Sequence, residues 1–502
     1  MKSALKYVAG LAVSLASVDL AASPPPDSNE EVIAIEAAAA ANPFPHFWEQ
    51  MFGSGRAVLT LRESYLNDLR TTKKSLGFEY VRFHGIFDDD IGVYDEDPQG
   101  KPIYNFSYVD QIYDTLLDNG VKPFVELSFM PRKLAANLQP HPFWYKPFPS
   151  PPKDPQRWAD LVRAFLTHIE NRYGKEEVES WYFEVWNEPN IDFWNGNPKE
   201  TTYYSFYDLT ARTVKGVDAK LRVGGPATAQ AAWIDHFIAH CVQNRVPFDF
   251  VSTHVYGNEK SEDIFGKHLD VSQRDMVGRA VRKVYDQVKS SAAPNTPIIW
   301  SEYNATYLNR PDNTDSAFMG PWLANNIREC DGLVTIMSYW TFSDVFEEQG
   351  IVKTPFYGGF GLIAERSIPK AAFRAFELLH TLGTQRLSST SENALITKRD
   401  DGTFVLALWN YENPGEGGQP KFFRLKPDRT DWTSYRIQMV SDDHGSALQA
   451  WTNAGQPPTP TKAQIAEFVT ASQLPPPDVR PISEPVVLPP HGLAIVELST
   501  AK

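Results

Sequence analysis

The sequence predicts a (β/α)8 barrel carrying a smaller C-terminal β-sandwich, and three observations lead there. Between residues 44 and 384, short β-branched and aromatic runs alternate with amphipathic helical patterns, about eight times over roughly 300 residues. From residue 385 the period changes to alternating strands and tight turns, as in 394–398, the Asp400-Asp401-Gly402 turn and 404–409. A chain of 502 residues exceeds one ordinary domain and has room for both units.

Taken in order, barrel strands are expected at 56–61, 80–84, 123–129, 181–187, 222–225, 248–254, 297–302 and 334–340. Helices are expected at 63–76, 108–119, 155–172, 203–218 and 276–289, and a last one at 370–382 closes the domain. Beyond 385 the prolines at 457, 458, 460, 475–477, 481, 485, 489 and 490 argue against a helical bundle and mark loops between short or edge strands, so 385–502 reads as a β-sandwich accessory domain. Upstream, Lys2 and Lys6 precede an apolar stretch at 7–18 and the small residues Ala21, Ala22 and Ser23, the pattern of a secretory signal over 1–23. A Pro- and Ala-rich linker at 24–43 follows, and the expected location is periplasmic or secreted.

Composition narrows the partners. With 48 basic and 62 acidic residues the formal net charge is -14, which argues against nucleic acid or an anionic membrane and suits a neutral or cationic substrate. No apolar run beyond the leader is long enough to span a bilayer. Cys241 and Cys330 are too few for a disulfide framework and lack a Cys-x-x-Cys spacing.

The chemistry is concentrated at strand ends. The run from Trp181 to Asn190 begins as a buried strand and stops at Asn187-Glu188-Pro189, because Pro189 cannot donate to a ladder bond. Glu188 therefore sits at the C-terminal lip of the expected fourth strand, where barrels of this class keep their reactive groups. Glu302 ends the expected seventh strand, roughly three βα units later, which sets the two acids across one barrel mouth. Two facing carboxylates are the minimum for glycoside hydrolysis, one protonating the leaving oxygen while the other attacks or activates water.

Other strand ends converge there. Arg82 and His84 share one face of the second strand, with Arg82 a charge partner for a carboxylate deep in the barrel, either the catalytic pair or Glu184. His254 and Tyr256 close the sixth strand as candidates for substrate hydroxyls. Trp340 ends the eighth, where its ring can stack on a sugar, and Glu347 and Glu348 follow in the next loop.

These residues resemble glycoside hydrolase family 39, which includes β-xylosidases and α-L-iduronidases. The likeness is carried by 181–190 and extends through Arg82-Phe83-His84-Gly85, the run 126–131 containing Phe129, Thr253-His254-Val255-Tyr256, Ser301-Glu302-Tyr303-Asn304, 339–344 and 354–361. It implies Glu188 as acid/base and Glu302 as nucleophile of a retaining mechanism, with Asn187 on the sugar 2-hydroxyl. It also implies that Glu347 or Glu348 binds the sugar and that Phe129 belongs to the substrate-binding set. The expected activity is an exo-acting β-xylosidase on an oligosaccharide or glycoside, without metal or cofactor. An iduronidase-like enzyme is the nearest alternative, and would need Arg or Lys at the sugar. A carbohydrate-binding or structural barrel is the non-enzyme alternative.

Two further patterns are discounted. Gly359-x-Gly361-x-x-Ala364 resembles a dinucleotide fingerprint but follows no apolar strand. His236 and His240 have helical metal-ligand spacing but lack the Glu of His-Glu-x-x-His and a clear third ligand, which favours an amphipathic helix face.

Overall fold

A computed structural model describes residues 29–500, so the expected signal at 1–23 lies outside the described residues. Eight parallel strands close a barrel: β1 (Met51–Gly53), β2 (Tyr80–Phe83), β3 (Lys122–Glu126), β4 (Tyr182–Glu184), β5 (Arg222–Thr228), β6 (Phe250–Tyr256), β7 (Ile298–Asn304) and β8 (Ile336–Tyr339). Helices at Glu63–Leu76, Ser107–Asp118, Pro155–Tyr173, Lys199–Val217 and Met276–Ser290 stand close to their expected positions.

The first strand is a correction. The stretch expected to be extended, 56–61, contains a 3-10 helix at Ala57–Leu61, and the barrel strand lies earlier. Met51 and Phe52 are wholly buried and pair with Tyr80 and Val81, whereas the helix buries only Ala57, Leu59 and Thr60. Gly53 is needed there: a Cβ would lie 2.2 Å from the Trp340 ring.

Inside the barrel the two-residue period of each strand stacks side chains in layers. Met51, Tyr80, Phe124, Phe250, Ile299 and Ile336 form an apolar floor, with Tyr182 packed against it. Above them the layer turns polar, with Arg82, Glu126 and Glu184, and His84 tops β2. Strand β7 departs from the simple period: Thr253 pairs with Trp300 but His254 pairs with Glu302, so Ser301 is an inserted residue. That bulge turns Ser301 and Glu302 both toward the interior, where each bonds to groups on other strands.

The linker expected at 24–43 is also corrected over its described part. Glu30–Ile35 pairs in parallel with Lys421–Pro427, and Ala41–Pro43 pairs antiparallel with Gln385–Leu387. Ile33 and Ile35 are buried while Val32 is exposed, so a half-buried edge strand hides in a stretch whose composition reads as leader. The accessory unit thus has a seven-stranded and a three-stranded sheet, both drawing on the start of the chain. On Phe404–Trp409 alternate residues face opposite ways: Phe404, Leu406 and Leu408 into the sandwich, Val405, Ala407 and Trp409 into the core shared with the barrel. Where the chain enters and leaves the barrel, Glu49 Oε1 bonds Nδ1 of both His46 (2.7 Å) and His380 (2.9 Å).

Two helices, Leu448–Asn453 and Lys462–Ala471, interrupt the strands expected in this region. The second begins at a capping box, Thr461 with Gln464, and Trp451 and Phe468 pack on Phe356 and Ile368. No helix among the described residues is long and apolar enough to cross a membrane.

Candidate active site

The chain leaves β4 through Val185 and Trp186 into a tightly held turn. Glu188 has a positive φ of 44°, and its N–H donates to the Ala227 carbonyl at 2.8 Å. Asn190 then pairs with the Ala229 backbone in both directions, its amide donating at 3.0 Å and its oxygen accepting at 2.9 Å. A left-handed, non-glycine residue is strained unless its surroundings fix it, and these bonds to the end of β5 do so.

The turn projects Glu188 across the mouth toward Glu302. Oxygens of the two carboxylates and a ring nitrogen of His254 all lie within 4.8 Å of one another. Arg82, wholly buried, donates Nη1 to Glu302 Oε1 (2.7 Å), Nε to Glu184 Oε2 (2.6 Å) and Nη2 to Asn187 Oδ1 (2.9 Å), and Nη2 also pairs with Glu126 at 2.7 Å. Both alternatives for Arg82 therefore hold at once. The other oxygen of Glu302 accepts the Tyr256 hydroxyl at 2.6 Å. A guanidinium on one oxygen and a phenol on the other is what an ionised carboxylate accepts.

Glu188 has the opposite surroundings. Burial, the charge of Glu302 and then that of Glu259 push its carboxyl well above the usual range, so it holds a proton. His254 Nδ1 lies 2.9 Å from Glu188 Oε1, and its Nε2 lies 3.0 Å from Ser301 Oγ, which donates to Glu184 at 2.6 Å. Burial, then the charges of Arg82 and His84, hold the His254 imidazole neutral. With Ser301 donating to Glu184, its oxygen accepts from His254 Nε2–H. The bare Nδ1 then faces the carboxyl proton of Glu188.

His84 is the mirror case. Its burial is outweighed by Glu126, which bonds Nδ1 at 2.7 Å and raises the imidazole's proton affinity. Nε2 points into the mouth, 3.8 Å from Glu302 and 3.7 Å from Glu348. Glu348 faces the cavity, its carboxyl pushed up to about 8 by burial. Glu347 does not: Arg56 (3.1 Å) and Arg62 (2.6 Å) draw it to the far side of the loop. Of these two acids only Glu348 lines the cavity. Gly359 and Gly361 serve the same loop. A Cβ on either would run into Asp344, whose buried carboxylate takes the Gly361 N–H and the Lys370 ammonium.

The cavity above these groups has a volume of about 590 Å³ and is lined by His84, Asn187, Glu188, Tyr256, Glu302, Trp340 and Glu348 among the expected residues. Such a volume suits a small ligand, typically roughly 300–1,000 Å³. Arg82 and His254 lie beneath it and act through the acids they bond. Phe129 is also behind the wall, packed on the Trp186 and Phe193 rings and 5.9 Å from the His84 ring, so its expected contact with substrate is corrected to a support for His84. Reading the sequence missed Glu126 and Ser301, and also His141, Phe143, Phe193, Gln230, Glu259, Tyr307 and Phe360 in the lining. A buried Arg82 demands more than one counter-charge, a signal that leads to Glu126, two residues beyond Phe124 on the next strand. The loop residues carry no such signal.

Glu188, His254 and Glu302 also have the spacing of a three-ligand metal site. The Arg82 guanidinium, already on Glu302, occupies the place of the positive charge and would repel a cation. His236 and His240 are paired with Glu200 and Asp208, a polar link between neighbouring helices.

A closed parallel barrel that holds two carboxyl groups a few ångströms apart in one cavity, one protonated and the other accepting from Arg82 and Tyr256, defines a glycoside hydrolase. Residues 31–484 match the model of glycosyl hydrolases family 39, and the chain belongs to that family of O-glycosyl hydrolases. It is 37% identical over 439 residues to a beta-xylosidase of Geobacillus stearothermophilus, covering 85% of this chain and 86% of that one. To a beta-xylosidase of Caldicellulosiruptor saccharolyticus it is 33% identical over 440 residues, covering 85% and 88%. The crystal structure of a monomeric beta-xylosidase from Caulobacter crescentus CB15 superposes with a TM-score of 0.83 at 33% identity, covering 94% of this chain and all of that one.

Proposed function

We propose that the protein is a retaining, exo-acting β-xylosidase that releases xylose from short xylooligosaccharides. The observation that carries the mechanism is that an oxygen of Glu188 and an oxygen of Glu302 lie within 4.8 Å of each other, close enough for both acids to act on one anomeric centre without a water between them. Retaining enzymes hold their carboxyl groups about 5–5.5 Å apart, whereas inverting ones need about 6.5–9.5 Å to admit a water. In the first step a Glu302 oxygen attacks the anomeric carbon, the bond to the leaving oxygen breaks, and the Glu188 proton passes to that oxygen. With the nucleophile esterified its negative charge is gone, and Glu188, now an anion, takes a proton from water as that water attacks the same carbon. The carbon–Glu302 bond breaks and both acids return to their starting states.

Asn187 directs its oxygen to Arg82, which leaves its amide N–H groups for the sugar 2-hydroxyl. Glu348, protonated near neutrality, both donates to and accepts from sugar hydroxyls. The nature of the sugar is supported by the lining, which among the described residues includes no Lys or Arg to pair with a uronic acid. The beta-xylosidases it resembles support the same reading. The charged, apolar and small-residue order of residues 1–23 supports export to the periplasm or medium.

The test is a panel of aryl β-xyloside, β-glucoside, α-arabinoside and α-iduronide on the wild type and on Glu302→Gln. Xyloside is expected to turn over fastest and the variant to be almost inactive. Preferred hydrolysis of the iduronide, or near-normal turnover by the variant, would overturn the assignment.

A further inference from the structure

Two buried polar groups in the cavity have no use in the steps above. Glu259, in the turn after β6, is 9% exposed, and its Oε2 has no hydrogen-bond partner. His141 is 6% exposed, and its Nε2 also lacks a hydrogen-bond partner, the nearest carboxylate being Asp192 at 3.6 Å. A buried polar atom without a hydrogen bond is costly, so two on the wall of one cavity point to a ligand that satisfies them.

Their position says which part of the ligand. The groups that surround the attacked sugar, His84, Asn187, Trp340 and Glu348, gather about Glu302. His141 instead stacks on Phe193, at 4.1 Å between ring centres, and Phe193 belongs to the same loop as Glu188. Glu259 lines the cavity together with Glu188 and with Ala229 and Gln230, from the loop that holds the Glu188 turn. Both groups thus flank the proton donor, and the oxygen that receives the proton belongs to the leaving group.

We propose that Glu259 and His141 are the hydroxyl-reading half of the leaving-group subsite, making a second sugar, rather than an apolar aglycone, the group recognised there. This rests on the glycosidase reading of the cavity. The apolar half is supplied by Phe143, Ile191 and Tyr307, against which a sugar's C–H face can lie. Burial pushes the Glu259 carboxyl up to about 8, so near neutrality it offers a sugar both an O–H donor and an acceptor.

The experiment compares kcat/KM for xylobiose with that for 4-nitrophenyl β-xyloside, whose leaving group lacks ring hydroxyls. Wild type, Glu259→Ala, Glu259→Gln and His141→Ala are measured, each with a melting temperature. The xylobiose-to-aryl ratio is expected to fall about tenfold in each alanine variant, because a lost hydrogen bond to a buried partner weakens only the substrate that made it. Glu259→Gln, which keeps a donor and an acceptor, should restore most of the ratio. Where Glu259→Ala fails to fold, Glu259→Met, with similar length and neither oxygen, is read in its place. A wild-type ratio in either alanine variant, or an equal loss on both substrates in a folded variant, would overturn the proposal. Absence of xyloside turnover by the wild type would overturn the underlying reading instead.

Discussion

Replacing Glu188 with alanine separates the two halves of the reaction. The variant keeps Glu302 with its Arg82 and Tyr256 donors, so attack on a substrate whose leaving group departs without a proton, such as a dinitrophenyl β-xyloside, should stay fast. Breakdown of the xylosyl-enzyme then lacks a base, and xylobiose lacks an acid. General acid–base catalysis is worth about 10²–10⁴-fold, so xylobiose turnover should fall by that factor. The aryl substrate should show a burst of one equivalent followed by a slow phase. Removing a carboxylate whose nearest oxygen stands within 4.8 Å of the nucleophile's also opens room for a small anion on the same side of the sugar. Added azide should accelerate the slow phase and give β-xylosyl azide, identified by the anomeric proton coupling.

The pH profile is a second readout of that variant. Burial and the neighbouring acids raise the proton affinity of Glu188, so in the wild type kcat/KM on xylobiose is held at neutral pH and falls as pH rises through that raised value. The alanine variant has no such group, and on the aryl substrate this alkaline limb should be absent. An α-azide product, no rescue, or a limb that persists would refute the assignment of Glu188 and the double displacement with it.

Two further substitutions probe the groups beneath the cavity. His254→Phe removes the Nδ1 that faces the Glu188 proton, so the alkaline limb of kcat/KM on xylobiose should move to lower pH; an unmoved limb would mean that the contact does not favour the protonated acid. Arg82→Met leaves Glu126, Glu184 and Glu302 without their shared guanidinium, and an uncompensated buried charge costs about 3–5 kcal/mol, so the melting temperature should fall by several degrees along with activity. Lost activity at an unchanged melting temperature would confine Arg82 to catalysis and remove it from the fold.

The helical and strand periods of 44–384 are local properties, which is why the positions of seven strands and most of the helices could be read along the chain. The first strand escaped because Met51-Phe52-Gly53 is too short to show a period, while the apolar residues of 57–61 imitate one. Likewise the strand at Glu30–Ile35 finds its partners some 390 residues later, and no local pattern carries that pairing.

The two acids could be named from sequence because Pro189 marks where β4 must stop and because both stand at strand ends that a closed barrel brings to one mouth. Their division of labour is a different matter. It depends on the bulge that turns Ser301 and Glu302 inward together, on Arg82 and Tyr256 reaching one carboxylate, and on His254 reaching the other. Glu348 faces the cavity and Glu347 does not only because Arg56 and Arg62 stand behind the loop. Sequence thus determined which chemical groups are present and at which strand ends they lie, since those follow from residue type and period. Only the tertiary structure decided which of them holds a proton, because burial and the charges that act on a group come from strands far apart along the chain.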